Sequence, residues 1–168
     1  MMVGAAMLRQ AHKSVAGFAS LRQPPTAMAD RPATAGLLDD IDPISRTRIL
    51  VVGEDTLEVL CALIRRGCAE AAELCRDDRA EAHSADLVLV PHVANLDGMR
   101  RAVAQARRAL VPGGRVRLRV VADPSGQVRL GAARVLREAS FAAIRSRVLP
   151  EGTLVSAEQP GFGPLVRA

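Results

Sequence analysis

Residues 48–68 read RILVVGEDTLEVLCALIRRGC: a short apolar strand, a glycine, then an amphipathic helix closed by a second glycine. Apolar residues at Leu57, Leu60, Leu63 and Ile64 recur at helical spacing, and Gly67 stands just past the last of them. A strand that turns at a glycine into a helix is the opening unit of nucleotide-binding α/β folds, in which the turn lies beside the ligand. Where such turns usually carry further glycines, this chain has Glu54, Asp55 and Leu57.

Working outward, strand and helix signals alternate to the end of the chain, which predicts a mainly parallel sheet with flanking helices. Residues 71–75 are a weak strand candidate. Residues 86–90, DLVLV, are apolar on both faces, as a central parallel strand should be. A helix over 97–110 is read as stopped by the Pro-Gly-Gly of residues 112–114, followed by a strand at 115–121 and a helix at 127–139. Strands at 142–149 and 153–158 flank Gly152 and predict a closing antiparallel hairpin. Residues 1–36, rich in Ala, Gly, Pro, Ser and Gln, are read as a disordered tail before a single domain at 37–168. Their first 28 residues resemble a transit peptide, or an extension upstream of a start at Met28. A chain beginning at Met28 is expected to keep its full thermal stability.

Composition narrows the class. The 168 residues are 49% hydrophobic and 24% charged, enough apolar matter for one core. No apolar run reaches the roughly 20 residues of a membrane-spanning helix. Cys61, Cys68 and Cys75 form no disulfide framework, and a reducing cytosol suits them. His12, His83 and His92 show no metal-ligand spacing, so no metal site is expected. The net charge of +5 divides unevenly: residues 99–168 carry 13 arginines against 4 acids, whereas residues 29–98 carry 7 arginines against 14 acids. With no Trp or Tyr and only 3 Phe, the chain has little to stack on bases, which argues against nucleic acid.

Three features together resemble the class I S-adenosylmethionine-dependent methyltransferases over roughly residues 48–166: the opening strand-turn-helix; SADLVLVPHV followed by a helix and ARRALVPGGRVRLRV; and the ending SFAAIRSRVLPEGTLVSAEQPG. The resemblance implies a Rossmann-like sheet and a cofactor, S-adenosylmethionine, bound around the first turn. It places Gly53 at the first of three alternating glycines, with Asp55 and Leu57 at the other two and Val51 where the family has an acid. Gly53, Glu54 and Asp55 are then cofactor-binding candidates, with Asp77 for the ribose hydroxyls and His92 as a further contact or general base. Glu73 and Asp78 also compete for the ribose role. The nine residues 76–84 replace a helix, a strand and a helix of the family, so the fold is read as reduced after its second strand. A degenerate response-regulator receiver is a lesser alternative; Glu54 and Asp55 supply its acidic pair, but Val90-Pro91 occupies its phospho-acceptor position.

Asp55 has a structural reading as well. With Glu58 it forms Asp-x-x-Glu, a capping-box pattern at a helix start, worth about 1 kcal/mol. On that reading Asp55 and Leu57 would crowd the cofactor, and the chain would be a non-catalytic interaction protein on an inherited scaffold. Its surface would be one sheet face bearing Arg115, Arg117, Arg119, Arg145 and Arg147, open to an anionic partner. The alternative for these side chains is to lie along the sheet with their heads reaching the acids of residues 37–42.

Overall fold

The computed structural model describes residues 34, 36–41, 44–74, 78–121 and 123–161. Six strands form one sheet: β1 (Arg48–Val52), β2 (Glu70–Leu74), β3 (Ala85–Val93), β4 (Leu110–Val120), β5 (Ala142–Leu149) and β6 (Gly152–Glu158). Their order is β2-β1-β3-β4-β6-β5. The first four are parallel, and β6 and β5 follow as antiparallel neighbours, so the three central parallel strands and the edge hairpin stand as the sequence predicts. Three helices complete the fold: α1 (Thr56–Arg65), α2 (Leu96–Ala109) and α3 (Gln127–Glu138). The chain passes from β2 to β3 with no helix or strand among the described residues between them.

Alternation along β1 and β3 sends apolar side chains to both sheet faces. Leu50, Val52, Val88 and Val90 meet Met99 and Val103 of α2 and Leu136 of α3. Ile49, Val51, Leu87 and Leu89 meet Val59 and Leu63 of α1, together with Leu37 and Leu38 from the segment before β1. Both of these leucines are fully buried, so the ordered core begins at least as early as Leu37.

The Pro-Gly-Gly stretch is not the turn that the sequence suggests. α2 already ends at Ala109, and residues 112–114 lie inside β4, where pairing jumps from Ala85 opposite Leu110 to Leu87 opposite Arg115. The extra residues form a bulge. Gly113 has φ +81° and donates its N–H to the Gln159 carbonyl at 2.9 Å, while a Cβ on Gly114 would come within 2.9 Å of the Val111 carbonyl. The helix stops because the backbone is captured by the β3 and β6 ladders, not because proline breaks it.

One ion pair ties the entry of β1 to that of β3. Arg48 donates Nη2 to Asp86 Oδ1 at 2.9 Å and Nε to Oδ2 at 3.1 Å, a two-pronged contact, and its own amide N–H donates to Oδ2 at 3.0 Å. These bonds hold the Asp86 carboxyl below the usual carboxylate range. A depressed folded-state pKa contributes stability above the unfolded value, and that contribution is lost as pH falls through the folded one. Both side chains are more than a third exposed, so solvent screening keeps the effect below about 1 kcal/mol. Asp86→Asn is therefore expected to flatten the loss of stability below about pH 4. Urea midpoints of both proteins across the acid range check this; parallel curves would rule it out.

Candidate functional site

The chain leaves β1 toward β2 on one side, then returns to place β3 on the other, so the strand order reverses between β1 and β3. Open α/β sheets bind ligands at that reversal, outside the carboxyl ends of the strands. A cleft of about 380 Å³ lies there, within the range of small-molecule sites, lined among others by Gly53, Glu54, Asp78, His92, Asn95 and Arg101.

Gly53 follows β1 with φ +110°, a conformation that side chains rarely adopt, and a Cβ there would meet only Val90 Cγ1 at 3.8 Å. The backbone at the cleft wall is therefore bare. Glu54 lines the cleft beside it.

Asp55 behaves differently from either sequence reading. Its backbone is left-handed (φ 58°, ψ 32°), and its side chain makes no capping bond to α1. A capping residue normally has extended backbone, which aims its oxygen at the free amides of the first turn; the left-handed form turns it away. The carboxylate instead meets His92 Nδ1 at 3.0 Å. Nor does Asp55 obstruct the cleft, since its side chain lies outside the lining. Leu57 does not obstruct it either: it is 71% exposed on the outer side of α1. Neither residue is among those that line the cleft.

Helix α2 carries the cap that the sequence places at α1. Asn95 is extended (φ −151°, ψ 163°), and its side chain accepts from the Gly98 N–H at 2.7 Å. Asn95→Ala is expected to cost about 1 kcal/mol, whereas Asp55→Ala should stay within about 0.5 kcal/mol of the parent. Equal losses in the two variants, measured by urea unfolding, would contradict this assignment.

Asp77 lies outside the described residues. Asp78 reaches the cleft because Gln105 of α2 holds its loop: Oε1 accepts from the Ala80 N–H at 2.9 Å, and Nε2 donates to the Asp78 carbonyl at 3.3 Å. Glu73 is engaged elsewhere, accepting from the Thr56 hydroxyl at the start of α1. Arg101, one turn beyond Gly98 on α2, was not distinguishable in the sequence from the other arginines of that helix. His92 is the strand residue that joins the cleft to Asp55, through the contact at its Nδ1.

The five arginines share one face by ladder register: Arg117, Ser156 and Arg145 form one row, and Arg119, Leu154 and Arg147 the next. They do not form one open surface. Arg119 is buried and donates Nε to the Pro91 carbonyl at 2.8 Å. Arg117 is buried under the segment before β1, donating to the carbonyls of Leu37, Asp39 and Asp40. Burial lowers its proton affinity, Arg115 adds to that, and Asp40 and Asp39 oppose it. Arg115, Arg117, Arg145 and Arg147 line a groove of about 560 Å³ together with Asp39, Asp40 and Glu158. Backbone carbonyls thus meet the heads of Arg117 and Arg119, and among the described residues an acid, Asp39, pairs with Arg147 at 3.7 Å.

Among the described residues, no cluster of three or more His, Cys, Asp or Glu side chains could hold a metal ion, and no helix is long and apolar enough to cross a membrane. No protein-family model matches the sequence, and no curated protein matches it. The architecture does recur in solved structures. An O-methyltransferase family protein from Burkholderia thailandensis superposes with a TM-score of 0.53 at 12% identity, over 79% of this chain and 55% of that one. The fold is that of S-adenosylmethionine-dependent methyltransferases. An S-adenosylmethionine-dependent O-methyltransferase from Thermotoga maritima gives a TM-score of 0.51 at 12% identity, over 70% of this chain and 61% of that one. The chain spans little more than half the length of the first of these. At such identity the likeness concerns the methyltransferase fold.

Proposed function

We propose that the protein binds S-adenosylmethionine in the cleft between the carboxyl ends of β1 and β3 and transfers its methyl group to an acceptor. The observation that carries this reading is the open cleft wall at Gly53, which neither Asp55 nor Leu57 closes. The residues present suit the cofactor. The bare backbone at Gly53 admits close approach, Glu54 and Arg101 offer opposite charges to an ammonium and a carboxylate, and Asp78 offers acceptors to ribose hydroxyls. The cofactor supplies an electrophilic methyl group on a sulfonium. His92, held at Nδ1 by Asp55, is placed to accept the proton released by the acceptor at Nε2.

The second reading is a non-catalytic interaction protein; the replacement of two turn glycines and the passage from β2 to β3 without a helix or strand among the described residues favour it. A titration separates the two. S-adenosylmethionine at a hundred times its dissociation constant should add about 2.7 kcal/mol to the stability of the parent protein. Gly53→Val, whose basal stability is lower because of the positive φ, should show no such increment. A parent protein whose melting temperature does not respond to the cofactor or to S-adenosylhomocysteine belongs to the second reading.

A further inference from the structure

Strand β5 ends the sheet: it pairs with β6 on one side, and no strand among the described residues pairs with the other. Half of its backbone N–H and C=O groups therefore point outward, unclaimed by the ladder. Six of its eight residues are exposed, and Val148 is 74% exposed. The strand carries two arginines, Arg145 and Arg147, and no acid. Both lie on the groove face. Among the described residues Arg145 has no acidic partner, and Arg147 has one ion pair, with Asp39 at 3.7 Å. Near its start the strand is bulged, with Ala143 at φ 50° and a register shift between 142 and 145, so the edge open to regular pairing is residues 145–149.

We propose that this edge accepts an extended acidic segment of a partner protein as an added strand. Residues on a strand laid against β5 would face their neighbours at about 5 Å, so acids at alternate positions would sit beside Arg145 and Arg147. Apolar residues between them would cover Val148 on the opposite face. The excess of arginine in residues 99–168 draws such a segment to this half of the molecule. Charge also selects against a second copy of this chain. A two-fold antiparallel pairing of β5 with itself, centred on residues 145–147, sets arginine against arginine. The site is independent of the cleft on the far side of β3 and makes no use of a cofactor.

The test is fluorescence anisotropy with a labelled synthetic peptide that alternates glutamate and valine. Saturable binding is expected, weakened at least about tenfold by Arg145→Glu/Arg147→Glu, a loss of about 1.4 kcal/mol. Both side chains are exposed and the variant gives up one surface ion pair, Arg147 with Asp39, so it should keep the parent's circular dichroism and lose no more than about 1 kcal/mol of stability. Of two peptides N-methylated at one or the other alternate set of amides, one should lose binding, because only the set that faces β5 donates to it. The proposal is overturned if the parent protein does not bind the peptide. Undiminished affinity for both N-methylated peptides, or equal affinity for a lysine-valine peptide, overturns it too, as does unchanged affinity in the double variant. A concentration-dependent dimer in sedimentation that the double variant abolishes would assign the edge to self-association instead.

Discussion

Gly152→Ala is expected to cost more than about 3 kcal/mol and to leave the C-terminal hairpin unformed or displaced. The sequence places Gly152 in the loop between the last two strands, but it is the first residue of β6, opposite Leu149, and it lies against β4 as well. Its φ is +147°, and a Cβ would stand 2.2 Å from the Val120 carbonyl oxygen. That oxygen belongs to the backbone of a central strand and cannot turn aside as a flexible side chain could. Gly67→Ala is the control. Gly67 also has a positive φ, +80°, but nothing lies within 4 Å of its Cβ position, so only the conformational cost of about 1 kcal/mol should appear. Denaturant unfolding of both variants isolates the steric part. Similar midpoints would show that β6 can move away from Val120 at little cost.

The second large effect is expected at Arg117. Its guanidinium donates to three carbonyls of the segment before β1, and that segment delivers Leu37 and Leu38 to the core on the α1 side. Arg117→Leu leaves the buried Leu37 carbonyl and the part-buried Asp39 and Asp40 carbonyls without this donor, and a loss of roughly 3 kcal/mol is expected. The loss should be local in its consequences. Amide exchange should accelerate at residues 36–41 well before it does in β1 or β3, because the segment is held by this side chain and its two leucines. Arg115→Ala, exposed on the same strand, should stay within about 0.5 kcal/mol. If exchange at residues 36–41 were unchanged in Arg117→Leu, the arginine would be a passenger on a segment held by its leucines alone.

These two positions mark the boundary between what local sequence carries and what it does not. The strands at β1 and β3, the three helices, the glycine that ends α1 and the closing hairpin were all legible, because each rests on periodicity or turn chemistry within a dozen residues. The parallel order of the central strands followed from the alternation of those elements. The candidate cleft was legible in part: the glycine after the first strand marks the turn beside it, while the reversal of strand order that opens the cleft is a property of the folded sheet.

What the tertiary structure decided are the side chains whose partners lie far along the chain. Asp-x-x-Glu at residues 55–58 reads as a cap, yet Asp55 turns left-handed and meets His92, 37 residues away, and α1 begins without it. Asp78 reaches the cleft only because Gln105, on a helix that the intervening sequence does not announce as a neighbour, holds the loop. Pro112 to Gly114 read as a stop signal and became a bulge once β3 and β6 were in place to capture the backbone. Alternating arginines in β4 read equally as an open charged face or as side chains reaching back to residues 37–42, and the fold buries Arg117 and Arg119 because the carbonyls of Leu37, Asp39 and Asp40 and that of Pro91 accept from them there. Periodicity reports which way a side chain points from its own element. Whether it meets a donor, an acceptor or water is set by packing partners that only the folded chain brings within reach.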